Sequence, residues 1–126
     1  MFEGARRTLR LNTLDIFMDC PERERGGWLC DSTFTARAAW MLFGDLSVET
    51  DFIENFLLTD PDAYNNAIFP EVYPSNKNKP GDHGITNWSF WFAIELCEYY
   101  KRSGDRDFIE KYRPRINRFV QGCDGL

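Results

Sequence analysis

Apolar residues recur at helical spacing along most of the chain, and five helical stretches follow from that spacing. The first runs to about Met18 and gathers Leu11, Leu14 and Met18 on one face. The second opens after Asp31-Ser32, either of which can cap it. It groups Phe34, Ala38, Met41 and Leu42 before stopping at Gly44. Ser47 is the expected cap of a third, whose Val48, Phe52, Ile53, Phe56 and Leu57 form a stripe that ends at Asp60-Pro61. Thr86 is the expected cap of a fourth, from Trp88 to about Lys101. Its apolar positions lie nearly all round, as in a helix buried on several sides. Gly104-Asp105 starts a fifth, with Ile109, Tyr112, Ile116, Phe119 and Val120 at core spacing and Pro114 as a point of kinking.

Between the third and fourth helices the pattern fails. Residues 61–86 hold four prolines and two glycines, with Phe69-Pro70 and Tyr73-Pro74 among them. A connection of this length inside a compact domain is commonly functional.

An internal echo sets the architecture. Gly44-Asp45 followed by Asp51-Phe52-Ile53-Glu54 recurs as Gly104-Asp105 followed by Asp107-Phe108-Ile109-Glu110, a separation of 56 to 60 residues between equivalent positions. Each copy joins an aromatic-rich helix to an amphipathic one, which describes a repeated αα-hairpin. The expected fold is all-α: about two αα-hairpins plus a leading helix, in one unit over residues 1–126. Hairpin arrays bury each unit against its neighbours. Two hairpins leave an apolar face open, so either the chain self-associates through that face or it is a piece of a longer protein.

Composition narrows the partners. The chain has 126 residues, 43% of them hydrophobic and 28% charged, which suits one globular domain. Its net charge of −5 and lack of a basic face argue against nucleic acid. No apolar run reaches the roughly 20 residues of a membrane helix. The start, Met1 to Arg7, lacks the apolar stretch of a signal peptide, so a cytoplasmic location is expected. Aromatic residues make up 16%, more than a small core uses, and the surplus suits a partner surface or a cleft that stacks sugars. Cys20, Cys30, Cys97 and Cys123 have no metal-binding spacing, and His83 is the only histidine. Neither a metal nor a cofactor is expected, and the thiols are expected to be free and mostly buried.

The chemistry concentrates between the first two helices, where six charged residues fall within thirteen: Asp19, Glu22, Arg23, Glu24, Arg25 and Asp31. Pro21 stiffens the entry, Gly26-Gly27 permits a reversal, and Trp28 offers a flat apolar face. An ordinary solvated turn with internally paired charges has the same composition. Glycoside hydrolysis also draws on such a set, with one carboxyl donating to the leaving oxygen and a second activating water.

The run Asp19-Cys20-Pro21-Glu22-Arg23-Glu24-Arg25-Gly26-Gly27-Trp28-Leu29-Cys30-Asp31 resembles the Asp-Cys-Pro-x-Arg-(Asp)-Glu-Arg-x-Gly-Trp-x-x-Asp signature of bacterial α-L-rhamnosidases, glycoside hydrolase family 78. Its flanks, Leu14 to Met18 and Ser32 to Arg37, are similar too, as are Phe69-Pro70, Tyr73-Pro74 and Ile85-Thr86-Asn87-Trp88. The resemblance implies an (α/α)6 barrel, an inverting mechanism and a rhamnoside substrate. It makes Glu24 the general acid, with Asp19, Arg23, Trp28 and Asp31 shaping the sugar subsite and Trp88 forming a wall. This loop is one residue shorter than the commoner pattern, which has an Asp between the positions of Arg23 and Glu24; Glu22 is the rival acid. Six hairpins at this period need roughly 340 residues. No residue in 105–126 matches the family's general base, so the chain alone is expected to be inactive. The alternative is a non-catalytic helical-repeat module that binds carbohydrate or self-associates.

Overall fold

A computed structural model describes residues 1–64, 68–74 and 85–124. Its helices are α1 (Phe2–Leu11), α2 (Leu29–Phe43), α3 (Ser47–Leu57), α4 (Thr86–Ser103) and α5 (Arg106–Cys123), with a 3-10 turn at Pro61–Ala63. No strand occurs among the described residues, only single bridges at Thr13–Phe17 and Trp28–Val72. No helix among them is long and apolar enough to cross a membrane.

The repeated hairpin is visible in the backbone. Gly44 and Gly104 end α2 and α4 in the left-handed region, at φ 67° and 66°, and each donates its N–H to the carbonyl four residues back. That conformation is cheap only for glycine, which is why the helices stop there. In the echoed Asp-Phe-Ile-Glu segments, Phe52 and Phe108 are both buried. Asp105 caps α5 by accepting from the Phe108 N–H at 2.9 Å. α2 packs along α4, while α3 packs against α5, giving two layers. Pro114 lies inside α5, which continues as one helix to Cys123.

Several expectations are corrected. The first helix ends at Leu11 rather than near Met18. Thr13 Oγ1 bonds back to the Leu9 carbonyl at 2.7 Å, and Met18 N–H turns back to Asn12 at 2.8 Å. The chain has therefore folded over before Met18. α2 begins at Leu29, so Asp31 and Ser32 lie within its first turns and do not cap it. Ser47 and Thr86 are likewise first helical residues, and Asp45 accepts the Ser47 N–H.

The buried face of α2 consists of Leu29, Ser32, Thr33, Ala36 and Ala39, whereas Phe34 and Met41 are 46% and 84% exposed. Small residues permit close helix approach, so the large apolar side chains sit at the rim instead. α4 is not buried all round, because Phe90, Ile94 and Tyr100 line an open face. None of the four free thiols is fully buried, and Cys97 is exposed on that same side of α4.

Aromatic rings fill the centre. Phe92 meets Phe52, Phe56 and Phe69 at ring separations of 6.0, 5.8 and 4.5 Å. Beside them lies a charged cluster between the layers. Arg102 of α4 reaches Glu49 of α3 at 2.5 Å and Glu95 at 2.9 Å. It also meets Glu98 at 3.1 Å, and Arg37 of α2 binds Glu98 through two nitrogens at 2.5 and 2.6 Å. Glu49 and Glu95 are almost wholly enclosed. One carboxyl oxygen on each has no donor if both are ionised. A single proton between them satisfies both. Burial, the charge of Glu49 and that shared bond push Glu95 up to about 9, against the pull of Arg102.

Candidate active site

The Asp19–Asp31 loop is closed on itself at its base. Asp19 donates its N–H to the Gly26 carbonyl at 3.1 Å, and its carboxylate accepts the Gly26 N–H at 2.9 Å. Burial works to raise the Asp19 carboxyl, but hydrogen bonds from the Cys20 side chain and from the backbone of Gly26 and Cys20 outweigh it and hold the group low. Asp19 thus fastens the two ends of the turn. Within it, Glu24 N–H points at Cys20 Sγ at 3.4 Å, and Arg25 takes φ 50°, the left-handed region that non-glycine residues rarely adopt. That strained residue lies between Glu24 and the Asp19–Gly26 fastening.

The Glu24 carboxylate pairs with Arg23 Nη2 at 2.9 Å. The Arg23 side chain is 83% exposed, so the pair is solvent-screened and adds little to stability. It leaves the acid within reach of a ligand from outside.

Beyond Gly26 the chain is stitched to residues 71–73. Leu29 donates to the Glu71 carbonyl at 2.8 Å, and Tyr73 donates to the Gly27 carbonyl at 3.1 Å, on either side of the Trp28–Val72 bridge. The approach at Gly27 is close: a Cβ there would stand 2.4 Å from the Tyr73 carbonyl oxygen. Only glycine fits. The stitching places Trp28 against Trp88 of α4, with ring centres 5.7 Å apart and planes at 85°. These two indoles, 60 residues apart in sequence, form an edge-to-face aromatic corner.

The predicted residues therefore fall into three groups. Glu24 and Arg23 make one pair, Trp28 and Trp88 another, and Asp19 holds the loop between them. Asp31 stands apart on the exposed first turn of α2, where it adds to the burial that raises the Cys30 thiol. It forms no ion pair among the described residues. Val72, Tyr73 and Gly27 escaped the sequence reading as positioning elements. Phe69-Pro70 and Tyr73-Pro74 were the available signal, since a residue before proline is driven to extended backbone. His83 lies outside the described residues. Among those described, no three His, Cys, Asp or Glu side chains are grouped to hold a metal.

Two helical hairpins, α2–α3 and α4–α5, preceded by a loop of carboxylates, arginines and tryptophan, are consistent with an all-α hairpin glycosidase domain. The model of the bacterial alpha-L-rhamnosidase 6 hairpin glycosidase domain matches residues 1–125, and the chain belongs to that family. No curated protein and no solved structure matches it. The family is named for six hairpins, while the described residues form two.

Proposed function

We propose that this chain supplies the acid half of an inverting α-L-rhamnosidase site. Glu24 is the general acid, and the Trp28–Trp88 corner is the apolar wall for a 6-deoxy sugar. The observation that carries the reading is the loop itself, closed by Asp19 and stitched to residues 71–73, presenting an accessible carboxylate and an aromatic corner at one end of the α2–α4 layer. Glu24 acts as donor once Arg23 swings away, which the exposure of Arg23 permits. Asp31 contributes at the rim of the sugar subsite.

An inverting enzyme needs a second carboxylate to activate water from the opposite face of the sugar. Glu110, on α5, is tied to Arg106 and Arg113 on its own helix. The chain is accordingly an incomplete (α/α)6 domain and inactive alone. Incubated with an aryl α-L-rhamnoside, it is expected to release no aryl alcohol above the buffer rate. Release that disappears in Glu24→Gln would mean that the site is complete here.

A second reading rests on the open face of α4 and α5, a groove of about 510 Å³ lined by Leu96, Tyr100, Ile109, Phe119 and Val120 among others. Exposed apolar surface of this kind promotes association. A mass measurement at high concentration is expected to show species heavier than a monomer. A clean monomer would count against association through this face.

A further inference from the structure

The reading of Trp28 as a sugar wall raises the question of what fixes its place, and the contacts lead away from the loop to α5. Arg115, on the inward face of that helix, is 9% exposed. Its Nη2 donates to the Ile68 carbonyl at 3.2 Å, and its guanidinium lies over the Phe69 ring, 4.1 Å from the centre. Phe69 is also held from α4, because its N–H donates to Ser89 Oγ at 3.1 Å and its ring meets Phe92. Residues 68–69 are thus clamped between α4 and α5. Two to four residues further on, Glu71 and Tyr73 form the hydrogen bonds that flank Trp28.

We infer that Arg115 is a positioning residue for the candidate site, acting through residues 68–73 to set where Trp28 meets Trp88. Its hydrogen bond and ring contact reach residues 68 and 69 rather than the loop itself. The route has three rigid links: guanidinium to the Ile68 carbonyl and Phe69 ring, a short buried segment, then two backbone hydrogen bonds to Gly27 and Leu29. Sites held to within about half an ångström depend on such supporting contacts. Arginine suits this task better than lysine, because its planar head stacks on the ring while its edge donates to the carbonyl. Burial, reinforced by the charge of Arg118 and opposed by Asp60, lowers the guanidinium to about 10, so it stays charged at neutral pH.

The inference rests on the proposed site for its significance, but its test uses neither sugar nor turnover. Two indoles at 5.7 Å couple electronically, and their circular-dichroism couplet, defined by its loss in Trp28→Phe, reports the geometry of the corner. In the full chain, Arg115→Met is expected to cut that couplet to roughly half or less, as the ring pair moves out of its edge-to-face arrangement. The helical signal is expected to stay near its native value. Arg115→Lys, which keeps a donor but loses the planar face, is expected to fall between the two. Gly27→Ala, which pushes the loop off Tyr73 from the other side, is expected to lose the couplet as Arg115→Met does. A couplet of native strength in Arg115→Met would overturn the inference. So would couplet and helicity falling in equal proportion in both Arg115 variants, the mark of a purely structural role. Should Arg115→Met fail to fold, Arg115→Lys decides on the same criterion. If the couplet responds as expected but L-rhamnose leaves both indoles unperturbed, the glycosidase reading fails and the positioning role stands.

Discussion

Arg102→Met is expected to destabilise the chain by about 3–5 kcal/mol at pH 8, the range for removing one partner from a buried charge cluster. Among the described residues, Arg102 is the one cation bonded to Glu49, Glu95 and Glu98 together. Without it, Glu49 and Glu95 stay enclosed with no positive charge among the ion pairs of the described residues, and Glu98 keeps only Arg37. A loss of that size is a large part of the roughly 5–15 kcal/mol that holds a domain together. Urea unfolding at pH 8 measures it. Equal midpoints for variant and native chain at pH 8 would show that the cluster contributes nothing net.

Glu95→Gln is expected to act in the opposite sense at alkaline pH. A carboxyl held near 9 in the folded chain, against an ordinary value of 4.5, binds more protons folded than unfolded between those limits. Its contribution is therefore full below about 4.5, declines as pH rises, and is gone once pH passes about 9. Asp19, Asp45, Glu54 and Glu98 are held low and work the other way, losing their contribution as pH falls through the acid range. The native chain should be most stable near about pH 5 and lose on the order of a few kcal/mol by pH 9. Glutamine keeps an acceptor for Arg102 and gives Glu49 a permanent donor without a titrating proton. The variant should melt higher than the native chain at pH 9 and show a flatter slope from pH 5 upward. Parallel slopes would place the titrating group elsewhere.

Local chemistry with a single structural answer was legible in the sequence. Gly44 and Gly104 mark helix ends because few other residues accept that backbone, and Asp105 caps α5 for the same local reason. The α3 stripe held because that helix has one covered side, with Phe52, Ile53, Phe56 and Leu57 buried. α2 misled because it touches α1, α3 and α4, and the faces used for close approach carry serine, threonine and alanine. Its bulky residues mark a rim, where Phe34 meets Trp91 at 4.9 Å. In α5, Arg115 occupies an inward position that an apolar count skips, while Val120 is more than half exposed.

The site divides along the same line. Motif position selected Glu24, Arg23, Trp28 and Asp19, all of which fall in one closed loop. The partners that hold the loop come from residues 71–73, α4 and α5, and no spacing rule connects them to it. The Glu95, Glu98 and Arg102 positions do share one face of α4, a signal that helical spacing offered for the buried cluster.

The central proposal is that the corner formed by Trp88 and by Trp28, which shares its loop with Glu24, binds a deoxy sugar. Titration of the ¹⁵N-labelled chain with L-rhamnose, followed at the four tryptophan indoles, tests it most directly. Saturable shifts at Trp28 and Trp88, with Trp40 and Trp91 unmoved, are the predicted result. Indoles that stay in place throughout, or shifts confined to Trp40 and Trp91, would contradict it.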